Sequence, residues 1–233
     1  AAPATLPEGE RVYAIGDVHG CIDQLEALHD AIRRDMADRP TERCTIVHLG
    51  DYIDRGPDSA ATIDLLANDP DFGDAEIVNL IGNHEAMFLA ALASGKPADV
   101  SLWQQNGGAE ALMSWRVPRG ARPSEWTVKI PFKHQRFIKD LELSWRRGGY
   151  FFVHGGVRPG TSLEIQREED LLWIREPFLS YRKDHGVVVV HGHTPMKEPV
   201  VRPNRIGIDT GAFMGGMLTC AVLEADRLGF IQR

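Results

Sequence analysis

The chain is poor in cysteine: only Cys21, Cys44 and Cys220 occur in 233 residues. So odd and sparse a set cannot build a disulfide framework. It points to a reducing compartment, and a cytoplasmic location is expected. There is no apolar run near the roughly 20 residues needed to cross a bilayer, and stretches such as Val187–Val190 are strand-sized. A basic excess is missing too. Lys and Arg number 26 against 33 Asp and Glu, a formal charge of −7, so neither nucleic acid nor an anionic membrane is an expected partner. No internal repeat or low-complexity block occurs. Hydrophobic residues at 43 % and charged residues at 25 % exclude wholesale disorder and leave an ordinary globular protein. Composition leaves the oligomeric state open.

The length fits one well-buried domain. Residues 1–10 are expected to be a flexible tail, because Ala1–Glu8 is rich in Ala and Pro, and 11–233 a single domain. Within it, apolar spacing alternates between strand-like and helix-like runs. Arg11–Ile15, Cys44–Leu49 and Glu76–Ile81 are predicted strands, each followed by a predicted helix. The first helix runs from Ile22 to about Ala37 on Ile22, Leu25, Leu28 and Ile32. The second is Pro57–Ala67, with Pro57 in its first turn, and the third runs from Glu85 to Ala93. Ala109–Trp115 and Lys133–Leu141 also read as helices. Tyr150–Val153, Val187–Val190, Ile206–Ile208, Met217–Leu223 and Leu228–Ile231 read as strands. Three β-then-α units followed by mainly β predict an α/β sandwich rather than a pure doubly wound sheet.

The first three strands end in Gly16-Asp17-Val18-His19-Gly20, Gly50-Asp51-Tyr52-Ile53-Asp54-Arg55-Gly56 and Gly82-Asn83-His84-Glu85. Two later strands end in Val153-His154-Gly155-Gly156 and Val190-His191-Gly192-His193-Thr194. Ligands bind beyond the carboxyl ends of strands in such sheets, so these loops are expected to share one crevice. Taken singly, an Asp beside Gly is ordinarily a turn residue, and a strand-terminal His such as His154 an ordinary hydrogen-bonded rim residue. Together the five ends supply Asp, His and Asn in the mixture that suits a pair of borderline divalent ions, and one carboxylate has enough lone pairs to bridge two. His191 and His193 lie two apart, share a face on a strand, and are both open as ligands. His48 reads as a core histidine; His29, His134 and His185 read as surface residues.

The motifs GDVHG, GDYIDRG and GNHE resemble the signature of the phosphoprotein phosphatase family of metallophosphoesterases. The likeness continues through VHGG at His154, LLWIRE at Arg175, HGHT at His193 and IDTG at Asp209, from about Arg11 to Val222. It is greatest to the compact bacterial and phage members. The resemblance implies a calcineurin-like metallophosphoesterase sandwich, two mixed β-sheets flanked by helices (α/β/β/α). It implies two divalent metal ions, with Mn²⁺ expected and Zn²⁺, Fe or Mg²⁺ as alternatives. On the family pattern, Asp17 and His19 bind the first ion, Asp51 bridges both, and Asn83, His154 and His193 bind the second. The family places its ligand in the Gly-His-Thr unit, which leaves His191 a supporting or packing role. His84 is the implied general acid, positioned by Asp54, and Arg55 and Arg175 the implied phosphate-binding residues. Trp103, Asn106 and Gly107 resemble a further family segment and carry no assigned role. Many relatives have Arg two positions before the motif Asn, where this chain has Ile81.

The implied chemistry is coherent. Two cations roughly 3.5–4 Å apart clamp a phosphoryl group and acidify a bridging water. The resulting hydroxide attacks in line, with no covalent enzyme intermediate. An imidazole protonates the poor leaving alkoxide, and Arg matches two phosphate oxygens with its planar fork. The expected enzyme is a metal-dependent phosphomonoesterase, a protein serine/threonine phosphatase, acting on a phosphorylated protein or small phosphoester. The alternative is a symmetrical dinucleoside tetraphosphatase acting on diadenosine tetraphosphate. Those relatives share GDVHG but usually alter the DRG stretch and carry Asp where Glu85 stands. A catalytically silent phospho-binding module would lack a ligand or the acid, and every position here is filled. The basic stretch Arg116–Lys133 is expected to be a solvated surface loop, with a lid as the alternative. The five Trp residues are expected to be core or rim packing.

Overall fold

A computed structural model describes residues 2–233 of the chain. Its first sheet is built on three parallel strands, β1 (Glu10–Ile15), β2 (Arg43–His48) and β3 (Glu76–Asn79), paired in that order. On the other side of β1 lie β9 (Thr219–Glu224) and then β10 (Arg227–Gln232), both antiparallel. The second sheet has the order β4 (Ser144–Arg147), β5 (Tyr150–Val153), β6 (Val188–His191), β8 (Arg205–Gly207), β7 (Val200–Arg202). Its inner pairs β5–β6 and β6–β8 are parallel, and its outer pairs are antiparallel. Both sheets are therefore mixed.

The alternation of side chains along each strand explains the layering. On β1, Val12 and Ala14 point into a core shared with Tyr150, Phe152, Val188, Val190 and Ile206 of the second sheet. Their neighbours Tyr13 and Ile15 point the other way, onto Leu25, Leu28 and Ile32 of α1 (Ile22–Asp38) and Ile63 of α2 (Ser59–Ala67). The same cluster takes in Met87, Phe88 and Ala91 of α3 (Asn83–Ser94). The outer face of the second sheet, Phe151, Val153 and Val189, is covered by Leu171 of α8 (Glu168–Trp173), Ile174 and Phe178. This is the expected α/β/β/α sandwich of two mixed sheets.

Several expectations need correction. The segment expected to be a loose tail is anchored from Ala2 onward. Ala2 N donates to Asp226 O (2.7 Å), Tyr150 Oη donates to Ala4 O (2.7 Å), and Leu6 is buried in the inter-sheet core. Pro57 lies outside α2; Asp58 is its cap, accepting a hydrogen bond from Ala61 N at 2.8 Å. The Arg116–Lys133 stretch is not a simple loop. It contains α6 (Pro123–Lys129), and Val117, Trp126 and Ile130 are all buried. His29 and His134 are buried rather than exposed. His29 meets His48 Nε2 to Nε2 at 3.0 Å, and His134 sits between Trp115 and Asp64. His185 is half-buried against Phe178 and Tyr181. Each of these imidazoles has found an aromatic ring to pack on, which composition and spacing do not reveal.

Candidate metal centre

The loops after β1, β2, β3, β5 and β6 meet at one end of the sandwich, and their backbones are unusual. Among the described residues, eight non-glycine residues have positive φ, and five belong to this site: His19 (46°), Asp51 (53°), Asp54 (73°), Arg55 (67°) and His193 (65°). Each such turn costs on the order of 1 kcal/mol or more and is held in place by its surroundings. Gly50 has φ 100°, and a Cβ there would lie 2.5 Å from Gly82 N, so only glycine lets the second and third loops touch. The left-handed turn at His193 also separates it from His191. His191 closes β6 with Nδ1 3.0 Å from Gly192 O and Nε2 3.3 Å from Arg205 Nη1, away from the metal-capable groups, while His193 turns into them.

Asp51 lies at the centre. Its Oδ2 is 3.5 Å from His19 Nε2, 3.4 Å from His154 Nε2 and 4.0 Å from His84 Nε2. Two metal-capable groups share this one carboxylate, His19–Asp51–His84 and Asp51–His154–His193. Asn83 joins the second, with Oδ1 2.9 Å from His154 Nε2 and 2.8 Å from His193 Nδ1. Outside the site, His19 Nδ1 is 2.9 Å from Ile53 O and His154 Nδ1 is 3.0 Å from Leu49 O. A carbonyl accepts only from N–H, so in the neutral form of both rings Nε2 carries the lone pair, facing Asp51. Asp17 is buried beside them, both carboxylate oxygens accepting from His193 N (3.2 and 2.9 Å). The compact groups take in His84 rather than Asp17, so the positions expected for the first ion are close together but not all equivalent.

The electrostatics favour added cations. Burial, then the Asp209 carboxylate, push the Asp17 carboxyl well above its usual range. Burial disfavours charge on His154, yet the Asp51 carboxylate, with Asp17 and Glu85, pushes its pKa up to about 10. Burial opposes ionisation of Asp51 as well, but His154, His84 and His19 hold it well below the carboxylate range. Five acidic groups, Asp17, Asp51, Asp54, Glu85 and Asp209, are thus buried together. His193 Nε2 is buried with no partner among the described residues. A buried excess of negative charge and an unpartnered imidazole nitrogen fit bound divalent ions.

The remaining expected residues border this centre. His84 Nδ1 is 2.7 Å from Asp54 Oδ2, while burial, only partly offset by Asp51, pushes the ring's pKa down to about 3. Arg55 is exposed at the rim, its Nη1 3.3 Å from His19 Nε2 and its guanidinium 4.9 Å from the Phe213 ring. Arg175 is also exposed, and its charge contributes to lowering the His193 pKa. Three residues that sequence reasoning left without a role also belong here. Glu85 accepts from four backbone N–H groups, Asp51 (2.8 Å), Tyr52 (2.8 Å), Ile53 (3.1 Å) and Gly82 (3.0 Å). Its bond to Gly82, the N-cap of α3, is half of a capping box, a signal readable from its place three residues into the helix. Asp209 accepts from Gly211 N (3.0 Å), and Phe213 stacks edge-on to His19 with centroids 4.8 Å apart.

Strand-end carboxylates and imidazoles gathered around a shared Asp define a metallophosphoesterase, a hydrolase. Residues 10–217 match the family described as Calcineurin-like phosphoesterase, and the chain belongs to that family. The family depends on a binuclear metal centre, and the two groups that share Asp51 are this chain's candidates for holding one. The chain is 31 % identical over 221 residues to serine/threonine-protein phosphatase 1 of Salmonella typhimurium, covering 91 % of this chain and 92 % of that protein. It is 26 % identical to the asymmetrical bis(5'-nucleosyl)-tetraphosphatase PrpE of Anoxybacillus flavithermus, over 88 % of this chain and 87 % of that one. A solved structure suggested to be a diadenosine tetraphosphatase superposes with a TM-score of 0.68 at 23 % identity, covering 98 % of both chains. No helix is long and apolar enough to cross a membrane among the described residues.

Proposed function

We propose that the chain is a protein serine/threonine phosphatase that uses two divalent ions, Mn²⁺ by preference, in a reducing, cytoplasmic setting that suits its three free cysteines. The observation that carries the reading is the shared carboxylate of Asp51, with a His84–Asp54 pair beside it. Asp17, His19, Asp51, Asn83, His154 and His193 would hold the ions. Bound there, the ions supply Lewis-acid charge for the phosphoryl oxygens and a water acidic enough to attack at neutral pH. Arg55 and Arg175, both exposed at the mouth, would grip the remaining phosphate oxygens with planar forks. His84 has Nδ1 tied to Asp54, so Nε2 is the nitrogen free to protonate the leaving oxygen. A phosphate dianion in the crevice adds negative charge beside the imidazole and raises its pKa toward the working range.

The protein-phosphatase assignment is supported by similarity to serine/threonine-protein phosphatase 1 along nearly the whole of both chains. The second reading, hydrolysis of dinucleoside tetraphosphates, is supported by the tetraphosphatase relatives at 26–29 % identity. A parallel assay with Mn²⁺ on a phosphoseryl peptide and on diadenosine tetraphosphate separates them. The proposal predicts the higher kcat/KM on the peptide; a large preference for the dinucleotide overturns it.

A further inference from the structure

We propose that Trp103 is a positioning residue for leaving-group protonation: its indole N–H and the His84 imidazole clamp one oxygen of Asp54, which fixes the direction in which His84 presents its proton. The inference rests on the reading of His84 as the general acid.

Trp103 closes α4 (Pro97–Trp103) and is wholly buried. Its Nε1 donates to Asp54 Oδ2 at 2.8 Å, the same oxygen that lies 2.7 Å from His84 Nδ1. Asp54 is itself completely buried, and its other oxygen, Oδ1, has no partner among the described residues. The whole orientation of this carboxylate therefore depends on two N–H donors converging on one oxygen. The terminal torsion of Asp is intrinsically soft. With the indole donor gone, only the bond to His84 would resist its rotation, and the imidazole would lose a fixed anchor.

The surroundings are built for this contact. A kinked turn, Gln104–Gly108, follows Trp103 directly, with Gly107 at φ 108°, and a Cβ on Gly108 would lie 2.4 Å from the indole Cε2. The same turn accepts a hydrogen bond from Arg55 N through Gly107 O (3.2 Å), so indole and rim arginine share one support. The indole also packs on Phe88, at a centroid distance of 5.1 Å, in α3, whose second residue is His84. Packing alone does not account for where the N–H goes. The neighbouring Trp126, equally buried and 5.2 Å away, satisfies its N–H on a backbone carbonyl, Ala121 O (2.9 Å). Trp103 instead spends its donor on the one carboxylate that orients the acid.

The test compares Trp103→Phe, which keeps a buried ring and removes the N–H, with His84→Asn, both loaded with Mn²⁺. Loss of a hydrogen bond to a charged group predicts that Trp103→Phe lowers kcat on a phosphoseryl peptide by roughly 10- to 100-fold with KM little changed. The loss on p-nitrophenyl phosphate, whose leaving group needs no proton, should be several-fold smaller, and metal content should equal that of the wild type. In an Asp54→Asn background the substitution should add little, since the two residues act as one unit. Equal losses on both substrates, or full additivity with Asp54→Asn, would overturn the proposal. If Trp103→Phe does not fold, benzothienylalanine at position 103 keeps the bicyclic shape, replaces N–H by sulfur, and must give the same substrate split. Should His84→Asn itself show no split, the acid assignment fails; a split there with none at Trp103 rejects the positioning role alone.

Discussion

At the scale of single residues, the site is a set of strained turns held by buried polar contacts. Glu85 shows how. One carboxylate takes four backbone donors and so ties the second strand-end loop to the start of α3, placing Asp51 at its centre. Burial, then Asp51, push its pKa up to about 7 against the pull of those donors. Glu85→Ala would strand several buried N–H groups. We expect it to lower stability by at least about 3 kcal/mol in urea unfolding, since each unsatisfied group costs about 1–3 kcal/mol. A loss below about 1 kcal/mol would mean that water replaces the carboxylate. For His84→Asn we expect kcat on a phosphopeptide to fall by roughly 10²–10⁴-fold, the weight of general acid catalysis, with a smaller loss on p-nitrophenyl phosphate. The individual Asp, His and Asn residues were legible because each sits in a short Gly-bounded motif after a strand. Glu85, Asp209 and Trp103 lay in the motifs or segments quoted from the sequence, but their roles depend on which donors the fold brings to them. That information is three-dimensional.

At the scale of elements, the predicted strands that supply the site agree with the structure, most clearly where their side chains are apolar on both faces. Tyr150–Val153 is entirely buried, and β1 nearly so. The missed elements are those with little apolar signal. β4 (Ser-Trp-Arg-Arg) and β7 (Val-Val-Arg) are the two edge strands of the second sheet, short and partly exposed. α4 and α6 each begin with a Pro in the first turn and span seven residues, too few for a period of 3.6 to be convincing. α2 was found but its start was misplaced, because Pro57 resembles a first-turn residue while the capping side chain belongs to Asp58. Asp58→Ala should therefore destabilise the protein by about 1 kcal/mol in chemical denaturation, the usual value of a side-chain cap. No measurable change would show that the cap is redundant with the tertiary contacts of α2.

At the scale of the molecule, one contribution to acid stability lies far from the metal site. Arg11 is buried and pairs with Glu224 (2.9 Å) and, more distantly, Asp35 (3.9 Å), joining β1 to β9 and α1. The Arg11 hydrogen bond lowers the Glu224 pKa. At Asp35, burial works upward, but hydrogen bonds from Arg39 and Tyr13 bring it down, and the Arg147 contact lowers Glu10. A carboxyl whose folded pKa is depressed stabilises the fold above its unfolded value and loses that contribution as pH falls through the folded one. This network's contribution to Tm should hold from neutral pH to about 5 and be lost below roughly pH 4, where unfolded carboxyls begin to take up protons. Glu224→Gln should lower Tm at neutral pH, with the difference from the wild type shrinking below about pH 4; a difference that does not change with pH would mean the network contributes nothing to acid stability. At the metal centre, one carboxylate, Asp51, joins both metal-capable groups. Elemental analysis of the Mn²⁺-loaded, desalted protein reads out this sharing. Two equivalents per chain are expected for the wild type and no more than one for Asp51→Asn at unchanged fold. Two equivalents retained by that variant would contradict it.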